Sequence, residues 1–470
     1  MKGINVLPDD VLLDIFDFNA DMSLSSYGGR RGIEAWQSLV HVCQRWRSLV
    51  FESPPRLNLR LYCAPETPTK DALDVWPALP LTVWGRMTVS GTESIIAALN
   101  QSNRVCEISL FDIAAWKLEQ VLAATQVPFP ELTRLQLWPY TSCLYETPLV
   151  IPDSFLGGSA PRLRNFTLFG IPFPGLSKLV LSATHLVVLN LFLIPHSGYI
   201  SPEAMVALLS MLASLKTLSL GFKSLQSRPD WESQCLPPPK RSILPALDRF
   251  DFNGVTEYLE DLVTRIDAPQ LHSFGVDFFN QIDFDCARLS QFFNRTPTLS
   301  SRAYRACVRF DDQRISVSLR TRSWSYEIAI SWREPHRQLS SVAQVFNSYL
   351  HPLSTIRVLY IVHRYRKQVW KIDAIEARME GTLWLQLLLP FSAMTRLHLS
   401  KEFAPGITAA VQGPIRGEIT KVFPSLQNIF VEGSEPLGPV QENNEGQFVA
   451  VRLHPDHSSA ISYCDEDPRI

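Results

Sequence analysis

Near the carboxyl end, His454-Pro455-Asp456-His457 followed by Cys464 places metal-ligand residue types close together. A zinc site needs a closed shell with supporting partners. A polar turn accounts for the same residues, so no metal is expected. Asp283 with Asp285, and Asp311 with Asp312, are the acidic pairs that general acid–base work would draw on. No partner acid stands at a fixed offset from either, and solvated loop positions explain both. Arg357 to Lys371, RVLYIVHRYRKQVWK, interleaves cations and aromatics as a nucleic-acid track does, through phosphate charge and base stacking. A net charge of −2 lacks the basic footprint of such proteins. The segment is read instead as a repeat strand leaving a sheet as a polar hairpin, or as a rim patch for an acidic protein. No G-x-S-x-G, Walker loop, H-E-x-x-H or glycine-rich dinucleotide turn occurs. The chain is therefore expected to be no enzyme, with no catalytic residue, cofactor or metal, and to bind no nucleic acid.

The frame that positions these residues is globular. At 470 residues it has room for one large domain or two to three ordinary ones. Apolar residues make up 46% and charged residues 19%, which excludes a disordered chain. No apolar run reaches the eighteen or so residues of a membrane span. The start, MKGINVLPDDV, meets acidic residues at once and has no apolar signal core. A cytoplasmic or nuclear protein, off the membrane, is expected. The eight cysteines, at 43, 63, 106, 143, 235, 286, 307 and 464, contain no C-x-x-C pair, so they are read as buried small hydrophobes.

The first fifty residues predict helices. Leu7-Pro8 opens one, since proline suits a position whose N–H would be unpaired anyway. Asp9 and Asp10 favour the positive end of its dipole. Leu12, Ile15 and Phe16 fall on one face, widened by Val11 and Leu13. A polar loop, 19–35, follows. A second helix is expected from near Glu34, with Leu39, Val42, Cys43 and Trp46 in one stripe, until Ser53-Pro54-Pro55 ends it. A module this small is marginal alone. Its surplus apolar face needs either a partner or the rest of the chain, which it would then cap.

Further on, one phrase recurs, a Pro-x-Leu-x-x-Leu-x-Leu type of strand. Copies are FPELTRLQL (129–137), APRLRNFTL (160–168), THLVVLNL (184–191), LASLKTLSL (212–220), LPALDRFDF (244–252), APQLHSFGV (268–276), LSTIRVLYI (353–361), SAMTRLHLS (392–400) and FPSLQNIFV (423–431), with a weaker one at 103–110. Continuous copies start 24–32 residues apart, near a leucine-rich-repeat period. Such strands stack to bury their inner residues and form a parallel sheet. Return helices are expected at Ile95–Leu99, Ala115–Leu122, Pro202–Leu212, Tyr258–Val263 and Leu289–Phe293. Residues 309–335 break the pattern with two strands, and a helix bearing Leu339, Val342, Phe346 and Tyr349 follows. Residues 226–243 read as a protruding loop.

LPDDVLLDIF (7–16) with WQSLVHVCQRWRSLVFESP (36–54) resembles an F-box, and the whole chain resembles F-box proteins with irregular leucine-rich repeats. The 19–35 loop is longer and more polar than that family's compact pattern. The resemblance implies an α/β chain: a helical F-box at 1–55, a curved leucine-rich-repeat solenoid with a parallel sheet at 56–435, and a C-terminal extension at 436–470. It implies a substrate-recognition subunit of an SCF-type ubiquitin ligase. Leu7, Pro8, Leu12, Ile15, Phe16, Leu39, Val42, Cys43 and Trp46 would dock a Skp-type adaptor and, through it, a cullin. Outward residues of the repeat strands would hold an unknown protein target, with Arg134, Trp138, Phe169, Phe192, Arg249, Tyr360, Arg396 and His398 the leading candidates. A repeat scaffold with no ligase role fits the same residues.

Overall fold

In a computed structural model of the chain, the described residues are 7–24, 38–53, 57, 59–76, 78–87, 91–140, 149–224, 241–279, 287–299, 303–311, 314–321, 324–331, 353–363, 381–400, 403–404, 406–407, 425–432 and 450–451. The chain separates into two compact units, Met1–Gly198 and Tyr199–Ile470. Both are mixed α/β and rest on mostly parallel strands.

Unit 1 opens with α1 (Asp9–Leu24) and α2 (Gln44–Glu52). α1 runs on through residues expected in a loop. Asn19 to Leu24 holds Ala, Met and Leu and meets no glycine before Gly28, so nothing stops the helix earlier. The second helix is broken where the sequence predicted continuity: His41-Val42 turns, and Cys43 is extended (φ −160°, ψ 169°) ahead of α2. Leu12, Phe16 and Trp46 form the core of the pair, with the Phe16 and Trp46 rings edge-to-face at 4.7 Å. Arg45 ties the two helices together, donating from Nε to Asp9 (3.1 Å) and from Nη2 to the Leu7 carbonyl (2.6 Å). Trp76 lies 6.2 Å from both His41 and Phe51, so the helices pack on the segment that follows them.

That segment holds β1 (Leu61–Cys63), α3 (Thr69–Val75), β2 (Leu81–Arg86), α4 (Thr92–Leu99), β3 (Val105–Ile113), α5 (Ala115–Ala124), β4 (Arg134–Pro139), β5 (Asn165–Phe169), α6 (Leu176–Ser182) and β6 (Val188–Ile194). The six strands lie side by side in sequence order, all parallel. Leu135 and Leu137, Phe166 and Leu168, and Leu189 and Leu191 alternate into the core. The α4 and α5 predictions hold.

The recurring Pro-x-Leu phrase has a structural cause. Phe129-Pro130-Glu131-Leu132 is a β-turn closed by Leu132 N–H to Phe129 O (3.2 Å), and Ala160–Leu163, Leu244–Leu247, Ala268–Leu271 and Thr296–Leu299 close alike. Proline sits second in each, where its fixed φ suits the turn. The buried leucine then starts the stack, and the next backbone N–H groups reach the preceding repeat, as Asn165 N–H does to Thr133 O (3.0 Å).

Unit 2 contains α7 (Pro202–Leu209), β7 (Thr217–Phe222), β8 (Ser242–Ile243), β9 (Arg249–Gly254), α8 (Thr256–Thr264), β10 (Ile266–Asp267), β11 (Ser273–Phe279), α9 (Ala287–Arg295), β12 (Arg305–Asp311), β13 (Arg314–Arg320), β14 (Ser325–Ser331), β15 (Val358–His363), α10 (Gly381–Leu388), β16 (Arg396–Ser400), β17 (Asn428–Glu432) and β18 (Ala450–Val451). Its strands lie in the order β7-β9-β11-β14-β13-β12-β15-β16-β17-β18, with β8 and β10 paired apart. β13 is antiparallel to both neighbours, and the other pairs with a defined register are parallel. A parallel sheet was expected and the sheet is mostly parallel, with β13 the strand that departs from it. The two strands expected in 309–335 are β13 and β14, and β12, which starts ahead of them at Arg305, makes the break a three-stranded meander. Only two residues separate β12 from β13, a length that allows a hairpin and no crossover. The helix predicted around Leu339 to Tyr349 lies outside the described residues.

Consecutive returns in unit 2 are tied by charge. The buried Glu260 carboxylate of α8 accepts from Arg288 N–H (2.8 Å) and Leu289 N–H (2.9 Å) in the first turn of α9. Arg265 reaches Glu203 (2.8 Å) and Asp261 (3.0 Å), joining α7 to α8. No helix among the described residues is long and apolar enough to cross a membrane.

Candidate functional site: an apolar helix stripe and two open sheet faces

On α1, Val11, Ile15 and Phe18 recur at i, i+4 and i+7 and so share one face. They are 38%, 42% and 68% exposed, and Val42, in the turn before α2, is 56% exposed. Of the predicted docking residues, Ile15 and Val42 lie on the surface with Pro8, and Leu7, Leu39 and Cys43 are half-covered. Leu12, Phe16 and Trp46 turn inward. The available stripe is narrower than the sequence reading and includes Val11, which that reading set on the apolar face but not among the docking residues, and Phe18, which it left out. The i+4, i+7 offset from Val11 was the signal that could have found Phe18.

The strand faces turned away from the buried leucines carry the other candidates. In unit 1, register aligns them in three rows. The first is charged: Glu107 lies between Arg60, to which it is hydrogen-bonded, and Arg134 (3.8 Å). Burial opposes the Arg60 charge, but the Glu107 hydrogen bond and carboxylate outweigh it and raise the Arg60 pKa. The second row is polar, with Ser109 donating to Gln136 (3.2 Å) and Asn190 Nδ2 to Thr167 (3.3 Å). The third is aromatic. Trp138 stacks on Phe169 at 4.8 Å and 15°, lies 5.8 Å from Phe192 and 6.2 Å from Phe111, and Phe111 continues to Trp84 at 6.4 Å. Asp112, at φ 51°, turns β3 just past this row, where the β3–β4 register shifts. The indole Nε1 of Trp138 and Oδ1 of Asn190 are buried without a hydrogen-bond partner among the described residues. Trp138, Phe169 and Phe192 are thus brought together, with Arg134 on the same face two rows away. Trp84 and Phe111 extend the row and were missed, because β2 and β3 depart from the leucine phrase.

In unit 2 the candidates divide. Arg249 pairs with Asp251 (2.7 Å), whose carboxylate lies over Gly275: a Cβ there would come within 2.7 Å of it. Arg249 is five strand steps from Tyr360, roughly 24 Å at sheet spacing, so the two do not share a patch. Tyr360, His398 and Phe430 do form one stack across β15, β16 and β17, at 4.4 Å and 14° and then 4.5 Å and 13°. Tyr360, offered as an exposed contact, is buried with Cys307 and Val362 in a small cluster of its own. It backs the stack, and His398 and Phe430 are its more open end. Arg396 is exposed beside it. The Arg305 guanidinium lies 5.5 Å from the Tyr360 ring and 5.8 Å from Tyr304, and was missed because β12 was not read as a strand.

Among the described residues, several ionisable groups with perturbed pKa values gather in two places, Arg60, Tyr62 and Cys106 around Glu107, and Glu203, Tyr258 and Asp261 near Arg265. Burial pushes the Cys63 thiol up to about 11, lowers Lys117 and raises Tyr258. Cys43, Cys63, Cys106 and Cys307 are unbridged. No group of three metal-ligand residues occurs among the described residues, and His454, Asp456, His457, Cys464, Asp283, Asp285, Asp312 and 364–371 lie outside them. No family model and no curated protein matches this chain.

Proposed function

We propose that this chain is the substrate-recognition subunit of an SCF-type ubiquitin ligase, with residues 1–55 an F-box and the strand–return units a curved leucine-rich-repeat solenoid. The exposed Val11, Ile15 and Phe18 stripe of α1, together with the exposed Val42 before α2, carries the proposal. A helix pair that already buries Leu12, Phe16 and Trp46 leaves a second apolar face open, and fully burying side chains of this kind against a partner contributes roughly 1.5–3 kcal/mol each. A Skp-type adaptor would cover that face and bring a cullin with it. The open sheet faces would hold a protein target, the aromatic row of unit 1 supplying the large rigid side chains that dominate protein interfaces. The chain performs no bond chemistry and uses no cofactor. It raises the effective concentration of target beside the transfer machinery.

Calorimetry of the purified full-length protein with a purified Skp-type adaptor tests this, alongside an Ile15→Asp, Val42→Asp variant. Both positions are exposed, so the variant keeps its thermal midpoint. The expected result is wild-type binding that weakens roughly a hundredfold or more in the variant. A folded wild type that does not bind leaves a repeat scaffold, with the helix pair as its cap.

A further inference from the structure

The strands from β12 to β16 concentrate positive charge. β12, β13, β14, β15 and β16 together carry five arginines against one aspartate and one glutamate in their sequences. Arg314 is balanced by Asp277 (3.5 Å) and Glu327 (3.3 Å). Among the described residues, Arg305 and Arg396 have no carboxylate partner and the buried Arg305 Nε has no hydrogen-bond partner. Register places both in one row, with Val358 of β15 between them. The next row along the same strands is Cys307, Tyr360, His398 and Phe430. A line of guanidinium groups therefore runs beside a line of stacked rings.

We propose that this face of β12 to β17 binds an acidic extended peptide laid across the strands. This deepens the target-binding half of the function proposed above by naming the target's chemistry. Arg305 and Arg396 stand two strand steps apart, roughly 9.6 Å. Three residues of an extended chain span about the same length. The peptide recognised thus carries acidic side chains at i and i+3, one on each guanidinium, in charge-assisted hydrogen bonds. Its intervening atoms lie on His398 and Phe430. Arg305 is the better placed of the two, because its guanidinium is already steadied over Tyr304 and Tyr360 and loses little freedom on binding.

Fluorescence anisotropy on the full-length protein decides the matter. The probe is a labelled Glu-Ala-Ala-Glu-Ala-Ala-Glu peptide, with its Gln-for-Glu counterpart as control. The expected result is saturable binding of the acidic peptide alone, weakening roughly tenfold from low to physiological salt. Arg305→Ala and Arg396→Ala should each weaken it by about tenfold, and Arg162→Ala, at an exposed arginine paired with Glu131 in unit 1, should not. Arg396 is exposed, so its variant remains informative should Arg305→Ala fail to fold. Equal binding of the control, no binding at all, or indifference to Arg396→Ala overturns the proposal. A single-stranded oligonucleotide that binds more tightly through the same arginines also overturns it and marks a nucleic-acid surface. Adaptor calorimetry on the same preparation keeps the two readings apart. Peptide binding without adaptor binding removes the ligase role alone, and the reverse removes this site alone.

Discussion

On the open face of unit 1, Arg60 and Arg134 share Glu107, Arg86 has Asp112 at 3.3 Å, and the remaining area is polar side chains and a row of rings. On unit 2, Arg305 and Arg396 lack such partners among the described residues, and three stacked rings stand beside them. The strand spacing is the same. The difference arises from topology. Unit 1 repeats one parallel step, so successive strands set like residues side by side and ladders result. Unit 2 inserts a hairpin, and reversed β13 sets Arg320, its last residue, against Arg305, the first residue of β12. One interruption of a repeat sets two arginines side by side where unit 1 sets arginine against glutamate.

Removing Trp138 strikes this comparison hardest. Its ring touches three others, each pair worth about 0.5–1.5 kcal/mol. Trp138→Ala should therefore cost roughly 2–3 kcal/mol in chemical denaturation, against about 1 kcal/mol for His398→Ala. Equal losses would erase the distinction between an indole that meets three rings and an imidazole that meets two. Next, Glu107→Gln leaves Arg60 and Arg134 without their shared carboxylate. Unit 1 should then bind the acidic peptide weakly, within a few-fold of unit 2, in a salt-dependent manner. Unchanged anisotropy in an Arg305→Ala, Arg396→Ala background would show that the meander supplies more than charge.

The smallest effect concerns Asp277. Burial raises its pKa more than Arg314 and the Ser331 hydrogen bond lower it. The folded state then holds the proton more tightly than the unfolded state does. Stability is full below the ordinary carboxylate value of 3.8 and falls as pH rises through the raised one. Asp277→Asn should remove that decline, so the variant gains on wild type as pH increases from the acid side. Thermal midpoints across the carboxylate range read this directly, and a variant that loses ground with pH would reverse the sign.

Much of the frame was legible from local chemistry. Leucine alternation marks strands, and Pro130, Pro161, Pro245 and Pro269 mark the turns that start them, because turn geometry is a property of four adjacent residues. β12 escaped notice because Ala306, Val308 and Phe310 replace its leucines. The order β11-β14-β13-β12-β15 was hidden for another reason: pairing joins residues distant in sequence, and alternation is blind to which strand is the neighbour. The site was legible to the same extent. Trp138, Phe169 and Phe192 follow from alternation in one strand each. Glu107 as a shared partner, the burial of Tyr360 and the reach of Arg305 depend on register between strands. On α1 the periodicity was plain, but which of two apolar faces turns inward was settled by Trp46, thirty residues on from Phe16.

The central proposal is that the Val11, Ile15 and Phe18 stripe of α1, with Val42, couples a recognition chain to a ligase. Reconstitution of the full-length protein with purified adaptor and cullin, followed by size-exclusion chromatography, tests it most directly. Co-elution of all three, lost on Ile15→Asp with Val42→Asp while the variant stays folded, is the predicted result. Cullin and adaptor eluting together without the folded wild-type chain would contradict it.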